Sequence, residues 1–218
     1  MDCRGEAIMF NRLGHHPVFV PILPEAPIVL DAGAGADGGS YLNLLFGLRP
    51  ASRVLCLEPN PEQIAGLARL SSQSGGQIIV WQAYLTGCSD RIMKQLKVWD
   101  AHEAGSTLID REDDRGKPDR TFLAWPLTMP TILAVMPRID VLKLDIEGSE
   151  DEFLLDTPEN CFDSIGQISI EWHVGVERDK PIARMESLGY KYQFAPTMVG
   201  TFYKESWLVD NGKSKGER

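Results

Sequence analysis

Cysteine and long apolar runs are both scarce in this sequence. The four cysteines, Cys3, Cys56, Cys88 and Cys161, form no Cys-x-x-Cys pair, so their spacing indicates neither a zinc site nor a disulfide framework. No apolar run is long enough to cross a membrane, and residues 1–6 lack the basic and apolar regions of a signal peptide. These absences lead us to expect a cytoplasmic protein with no membrane partner.

Positive charge is also in short supply. Lys and Arg number 22 against 31 Asp and Glu, which gives a formal net charge of -9. Binding to nucleic acid or to an anionic membrane depends on clustered Lys and Arg, so we expect no nucleic-acid partner. The length of 218 residues, 43% of them hydrophobic, fits one domain with a substantial core.

An apolar run, a glycine-rich turn and a helical segment follow one another from residue 28 onward. Gly33, Gly35 and Gly38 fit the Gly-x-Gly-x-x-Gly pattern that binds nucleotide-like ligands at a helix N-terminus. Asp31 ends the predicted strand and would repel a pyrophosphate. S-adenosylmethionine (SAM) carries an ammonium and a sulfonium group and no phosphate. We therefore expect SAM as the cofactor, with Asp31, Gly33 and Gly35 in its binding site.

Polar side chains also stand at the ends of the following predicted strands. Glu58 ends the second strand, where a carboxylate can accept hydrogen bonds from both ribose hydroxyls. Gln82 follows the third strand, where its amide can bond the edge of an adenine. Asp145 ends the fourth strand, and Glu171 and His173 end the fifth. Since the carboxyl ends of parallel strands meet at one edge of a sheet, we expect a ligand site there.

Strands alternate with helices through most of the chain, which predicts a parallel sheet with right-handed crossovers. Near the C-terminus, residues 190–194 and 206–209 indicate a closing antiparallel hairpin. We divide the chain into an N-terminal extension at residues 1–27, a domain at 28–210 and a flexible tail at 211–218. Residues 7–10 indicate a short helix within the extension.

His15 and His16 stand side by side in the extension. Adjacent side chains point apart in a strand, so we do not expect them to share a metal ion and interpret them as an exposed pair in a loop. We assign no metal to the site. The alternative is metal-assisted catalysis, in which Asp145, Glu171 and His173 hold a divalent cation against two adjacent hydroxyl groups.

Four segments together resemble one family. They are Leu-Asp-Ala-Gly-Ala-Gly at 30–35, Leu-Glu-Pro-Asn-Pro at 57–61, Val-Leu-Lys-Leu-Asp-Ile-Glu-Gly-Ser-Glu at 141–150 and Ile-Glu-Trp-His at 170–173. These segments are similar to the FkbM-type family of SAM-dependent methyltransferases. In two places the sequence departs from the family: Gly35 stands where the family usually has Asn, and the turn is about one residue longer.

The resemblance implies a fold, an activity and a cofactor site. The fold is α/β, the Rossmann-like class I methyltransferase fold, with a mostly parallel seven-stranded sheet, an antiparallel last strand and helices on both faces. The activity is methylation of a hydroxyl group on a small molecule such as a sugar or a polyketide. The match at 57–61 adds Pro59 to the residues expected at the cofactor.

Methyl transfer requires that the acceptor oxygen is aligned with the methyl group and loses its proton. We expect His173 to be the general base, with a structural role as the alternative. Asp145 and Glu147 are expected to orient the acceptor or the amine of the methionine moiety, and Lys143 is a possible partner for these acids. Two rival interpretations are an NAD-dependent oxidoreductase, which Asp31 disfavours, and a methyltransferase-like domain that binds without catalysis.

Overall fold

The computed structural model describes residues 10–35, 39–87, 92–99, 106–107, 117–195 and 198–207. The strands are β1 Phe10–Leu13, β2 His16–Phe19, β3 Ile28–Ala32, β4 Arg53–Leu57, β5 Ile78–Trp81, β6 Tyr84–Thr86, β7 Lys94–Val98, β8 Ser106–Thr107, β9 Arg120–Ala124, β10 Pro126–Thr128, β11 Ile139–Leu144, β12 Ile165–Glu171, β13 Lys191–Ala195 and β14 Val199–Tyr203. The helices are α1 Gly39–Leu48, α2 Pro61–Gln73, α3 Met129–Leu133, α4 Glu150–Asp156 and α5 Asp179–Ser187.

Seven of these strands form one sheet in the order β13-β14-β12-β11-β3-β4-β5. The five strands from β12 to β5 run parallel. The last strand of the described residues, β14, runs antiparallel to both of its neighbours. The predicted fold, a mostly parallel seven-stranded sheet with an antiparallel last strand, is therefore confirmed.

The closing hairpin lies partly where the sequence predicts it. Its first strand is β13, but its second strand is β14 at Val199–Tyr203, so the prediction of a strand at 206–209 is wrong at its described residues. Val199 and Phe202 are the fully buried apolar residues of β14. Trp207 belongs to a short 3-10 helix and packs its ring over Gly166. Residues 208 and 209 lie outside the described part of the chain.

Each face of the sheet buries a separate apolar cluster because successive side chains of a strand point to opposite faces. On one face, Val29 and Val141 pack with α1, α2 and the β1–β2 hairpin. On the other face, Leu30 and Leu142 pack with α3, α4 and α5. Helices therefore cover both faces, as the resemblance implies. The described residues include no helix with the length and hydropathy to span a bilayer.

The described part of the N-terminal extension is a β-hairpin that packs against β12 and β14. The Gln167 side chain accepts a hydrogen bond from the Phe19 backbone N–H and donates one to the Phe19 carbonyl. The Thr201 hydroxyl donates to the Pro17 carbonyl at 2.6 Å. Phe10 begins β1, so the prediction of a helix at residues 7–10 is wrong at this residue, while residues 7–9 lie outside the described chain. The boundary at residue 27 remains a prediction, and the tail predicted at 211–218 lies outside the described residues.

Smaller sheets lie between β5 and β11. Strand β6 pairs in parallel with β10, and β7 pairs antiparallel with both β8 and β9. These strands place Tyr84 and Leu96 in a small apolar cluster beside the carboxyl ends of the main sheet. This region, which the sequence leaves without a clear pattern, therefore borders the expected site.

Gly33 provides a test of how closely β3 and β11 approach each other at their ends. It has a φ of 80°, and a Cβ atom at this position would lie 1.7 Å from the Asp145 carbonyl oxygen. We expect Gly33→Ala to lower the free energy of unfolding by about 3 kcal/mol or more, because backbone strain and a backbone clash add together. Urea unfolding followed by circular dichroism measures this change.

Gly189→Ala is the matched control. Gly189 has a similar φ of 84°, but no described atom outside its neighbours lies within 4 Å of its added Cβ. The free energy of unfolding of this variant should fall by only about 1–2 kcal/mol, the contribution of backbone strain alone. Equal losses in the two variants would contradict the close approach at Gly33.

Candidate functional site

The polar residues predicted at the strand ends converge at the carboxyl edge of the sheet. A cleft that is open to solvent lies at this edge. Gly33, Glu58, Pro59, Asp145 and Glu147 line it together with Ala83, Tyr84, Leu85, Leu96 and Ile146. Five of the predicted site residues are thus brought together at one cleft.

Lys143 is the buried cation at the base of the site. Its Nζ lies 3.1 Å from Asp31 Oδ1 and 3.3 Å from Asp145 Oδ2. It also donates a hydrogen bond of 2.8 Å to the Gly33 carbonyl. Burial alone would lower the pKa of Lys143, but the two carboxylates outweigh burial and raise it well above its ordinary value. Lys143 therefore stays charged and ties the glycine turn to both acids.

Asp31 and Asp145 flank this lysine in different surroundings. Asp31 is completely buried, and burial raises its pKa against the opposing effect of Lys143. Burial would also raise the pKa of Asp145, but Lys143 outweighs burial and holds it well below its usual range. Asp145 lines the cleft, whereas Asp31 does not. Asp31 thus acts on the cleft through Lys143 and the turn.

The glycine turn is held by backbone hydrogen bonds and by Glu58. The N–H groups of Gly33 and Ala34 both donate to the Leu57 carbonyl. Gly35 has a φ of 70° and donates its N–H to Glu58 Oε2 at 2.9 Å. Residues 36–38, which include the third glycine of the motif, lie outside the described chain.

Glu58 stands directly after β4 and connects two loops. Its second carboxylate oxygen, Oε1, accepts the Asn60 N–H at 2.8 Å. Burial raises the pKa of Glu58 to about 7, although the hydrogen bonds from Asn60 and Gly35 oppose this shift. Each oxygen accepts one backbone N–H and so retains acceptor capacity toward the cleft.

His173 is surrounded by carboxylates. Its Nδ1 lies 2.9 Å from Glu150 Oε1, and its Nε2 lies 3.4 Å from Glu147 Oε2 and 3.8 Å from Asp145 Oδ1. Burial would lower the pKa of His173, but the hydrogen bond to Glu150 and the nearby charges raise it to about 9. The imidazole is therefore protonated at neutral pH in this state.

Glu147 occupies a strained backbone position at the rim of the cleft. Its φ of 57° lies in the left-handed region, which costs about 1–3 kcal/mol for a residue with a side chain. The buried Glu150 holds this loop, because its Oε1 accepts the N–H groups of Ile146 and Gly148. Burial raises the pKa of Glu147 to about 7, with His173 opposing the shift.

His15 and His16 lie beside this cluster, so the interpretation of an exposed loop pair is wrong for His16. The His16 side chain is only 2% exposed, and its Nε2 lies 3.6 Å from Asp145 Oδ2. The His15 Nε2 lies 2.6 Å from Glu171 Oε2. Burial lowers the pKa of His16, which keeps its imidazole neutral.

Gln82 does not line the cleft as the sequence predicts, and Glu150 has a role in the site that the sequence does not predict. Gln82 is exposed and is not among the described residues that line the cleft, where Ala83 and Tyr84 stand instead. Glu150 ends the 141–150 segment that resembles the family, but the sequence assigns it no role, because it begins α4 together with Asp151 and Glu152 and an acidic first turn is common in helices. The roles assigned to individual site residues remain predictions.

Several solved structures are similar to this chain. Precorrin-6y C5,15-methyltransferase from Geobacter metallireducens has a TM-score of 0.46 and 16% identity, covering 82% of this chain and 80% of its own. The fibrillarin pre-rRNA processing protein of Methanococcus jannaschii has a TM-score of 0.47 and 15% identity, covering 85% and 69%. CalO1, a methyltransferase in calicheamicin biosynthesis, was solved with S-adenosylhomocysteine (SAH) bound. It has a TM-score of 0.42 and 13% identity, and the match covers 84% of this chain and 50% of CalO1.

No family model and no curated protein sequence matches the chain. The fold assignment rests on the order and direction of the seven strands in the sheet itself.

The raised pKa of His173 is testable through Glu150. In Glu150→Gln the imidazole loses its charged partner, so we expect its pKa to fall from about 9 toward the ordinary value of about 6.5. A group with a raised pKa in the folded state stabilises the protein fully below pH 6.5 and loses this effect as the pH rises through 9. The wild type should therefore lose more stability than Glu150→Gln over this range.

NMR titration of the imidazole protons measures the pKa, with His173→Gln as the assignment standard. Glu152→Gln, on the same helix and partly exposed, with Lys94 as its ion-pair partner, is the matched control and should leave the His173 pKa at about 9. A pKa near 6.5 for His173 in the wild type would contradict the effect of the surrounding carboxylates.

Proposed function

We propose that this protein is a SAM-dependent O-methyltransferase of the FkbM type that acts on a hydroxyl group of a small molecule. The charge of the cleft carries the proposal. Glu58, Asp145 and Glu147 line it, and no Lys or Arg is among the described lining residues. A dinucleotide would bring a pyrophosphate into these carboxylates, whereas the ammonium and sulfonium groups of SAM suit them.

The residues that would hold SAM are Gly33, Gly35, Glu58, Pro59 and Asp145. Gly33 supports this assignment because it lines the cleft together with Glu58 at the turn after β3. The remaining acceptor capacity of Glu58 suits the two ribose hydroxyls. When bound, SAM supplies the electrophilic methyl group. Gln82 has less support as an adenine contact because it lies outside the described cleft lining.

Glu147 is the better general base of the two candidates. A base must be unprotonated at the working pH, and the pKa of about 7 meets this condition for Glu147. His173, with a pKa of about 9, is already protonated and holds the Glu147 carboxylate from 3.4 Å away. In this proposal Glu147 takes the hydroxyl proton, His173 stabilises its charge, and Asp145 orients the acceptor.

A small acceptor is supported by the net charge of -9, which is unfavourable for a polyanion. The resemblance to the FkbM-type family supports a sugar or a polyketide. A metabolite extract and total RNA, each incubated with protein and methyl-labelled SAM, test this part of the proposal. Incorporation into RNA alone would overturn the small-molecule acceptor.

Cofactor choice is tested by the melting temperature. S-adenosylhomocysteine (SAH) should raise the Tm and NADH should not, because a ligand that binds only the native state stabilises it. Glu58→Gln should weaken SAH binding by about 5- to 150-fold, which corresponds to about 1–3 kcal/mol for a hydrogen bond to a charged group. Isothermal titration calorimetry measures the affinity.

Glu205 is an exposed acid that follows β14 and pairs with Lys191. Glu205→Gln is the control for loss of negative charge and should bind SAH like the wild type. A Tm raised by NADH and unchanged by SAH would exclude the methyltransferase.

The base is tested with the acceptor that the labelling screen identifies. Glu147→Gln should lower kcat by about 10²–10⁴-fold, the usual contribution of a positioned general base, while the Kd for SAH changes little. For the wild type, kcat/KM should rise as Glu147 loses its proton near pH 7 and fall as His173 loses its charge near pH 9. Glu177→Gln, an exposed control, should show the same rise and fall of kcat/KM with pH as the wild type. A fully active Glu147→Gln would show that Glu147 is not the base.

A further inference from the structure

We propose that the hairpin turn and the ends of β11 and β12 form a site for one divalent transition-metal ion, with His15, His16, Asp145 and Glu171 as its ligands. One donor atom from each of these four side chains lies within 4.8 Å of all the others. Two ligands come from the N-terminal hairpin and two from the sheet. This set differs from the Asp145, Glu171 and His173 set that the sequence suggests.

The two adjacent histidines face the same ion because they do not both lie in a strand. Gly14 and His15 form the two-residue turn between β1 and β2, and Gly14 takes the positive φ of 69°. The alternation of side chains therefore begins only at His16. The two imidazole rings lie 4.3 Å apart with an angle of 36° between their planes.

The state of His16 is the independent observation that points to a ligand. Its side chain is 98% buried, yet neither ring nitrogen has a hydrogen-bond partner among the described residues. A buried polar group without a partner is costly, so such groups are rare in native proteins. The Nε2 atom is directed at Asp145, and the ring packs edge-on against Tyr41. An ion next to Asp145 would satisfy this nitrogen.

The charge balance around the cluster favours a dication. Asp31, Asp145 and Glu171 are three carboxylates. The ammonium of Lys143, 3.1 Å from Asp31 and 3.3 Å from Asp145, compensates one negative charge and leaves two for the ion. At His15 the ion would displace the proton shared with Glu171 over 2.6 Å, since metal binding requires the imidazole nitrogen to be unprotonated.

The donor types favour zinc or a similar transition metal over magnesium or calcium. Imidazole nitrogen suits zinc, iron and nickel, whereas magnesium and calcium select oxygen ligands. Tetrahedral zinc with bonds of about 2.1 Å needs donor separations of about 3.4 Å, which side-chain rotation can reach from a spread of 4.8 Å. His15 is 56% exposed, so solvent reaches one side of the site.

A second donor group competes for the same carboxylate. Asp145, Glu147 and His173 also bring donor atoms within 4.8 Å of one another. There, however, Nδ1 of His173 is already bonded to Glu150, and Nε2 faces Glu147 at 3.4 Å. The hairpin set is favoured because the nitrogens of His16 are free of such partners among the described residues.

Zinc titration of the untagged full chain tests the inference independently of the proposed function. After removal of bound metal with a chelator, calorimetry with Zn²⁺ should show one ion per chain. His15→Gln should weaken the affinity by about 100-fold or more, since loss of a group that only supports a ligand already costs about 10- to 100-fold. His15 is the residue to replace because its side chain is exposed and lies outside the apolar core, and circular dichroism checks that the variant folds.

The other histidines of the chain provide the controls. His102→Gln and His173→Gln should both retain the wild-type affinity, which excludes binding through these two imidazoles. The visible absorption of bound Co²⁺ should change in His15→Gln and remain unchanged in these two controls. Absence of binding, unchanged affinity in His15→Gln, or loss of binding in His173→Gln would each overturn the hairpin site.

Discussion

The buried ammonium of Lys143 is the interaction on which the rest of the site depends. Lys143 lies opposite Asp31 in the parallel register of β11 and β3, so the sheet itself brings the two charges together. Its third contact, the Gly33 carbonyl, fixes the glycine turn against the end of β11. Burying this charge without its partners would cost more free energy than the fold could supply. Removing one member of such a buried group typically lowers the free energy of unfolding by about 3–5 kcal/mol. Turn, strand ends and cleft are thus held by one cation.

Unequal compensation of charge gives the two sides of the site different chemistry. Asp145 is held ionised by Lys143, whereas burial pushes Glu58 and Glu147 toward neutrality near pH 7. Groups with pKa values separated in this way can bind a cation at one position and exchange a proton at another. The environment, and not the residue type, distinguishes the three carboxylates that line the cleft.

The sequence predicts those features that follow from periodicity and from strand ends. Buried strands followed by Asp31, Glu58 and Asp145 predict both the sheet and its functional edge. The burial of His16 could not be predicted, because it depends on a turn at Gly14 and on strands more than a hundred residues away. The contribution of Leu96 also escaped prediction, since the short strands around it pair across the chain without a regular alternation of helix and strand.

The hairpin has a consequence for how the chain acquires its site during synthesis. The hydrogen-bond partners of the hairpin are synthesised much later than the hairpin itself. Gln167, which bonds Phe19, follows it by 148 residues, and Thr201, which bonds Pro17, follows it by 184 residues. At about 5–20 residues per second, the hairpin leaves the ribosome roughly 10–40 s before its docking surface exists. Contacts of such long range also form slowly in the released chain. A nascent or C-terminally truncated chain therefore presents His15 and His16 without the sheet that orients them, and the site is completed only when the last strand is in place.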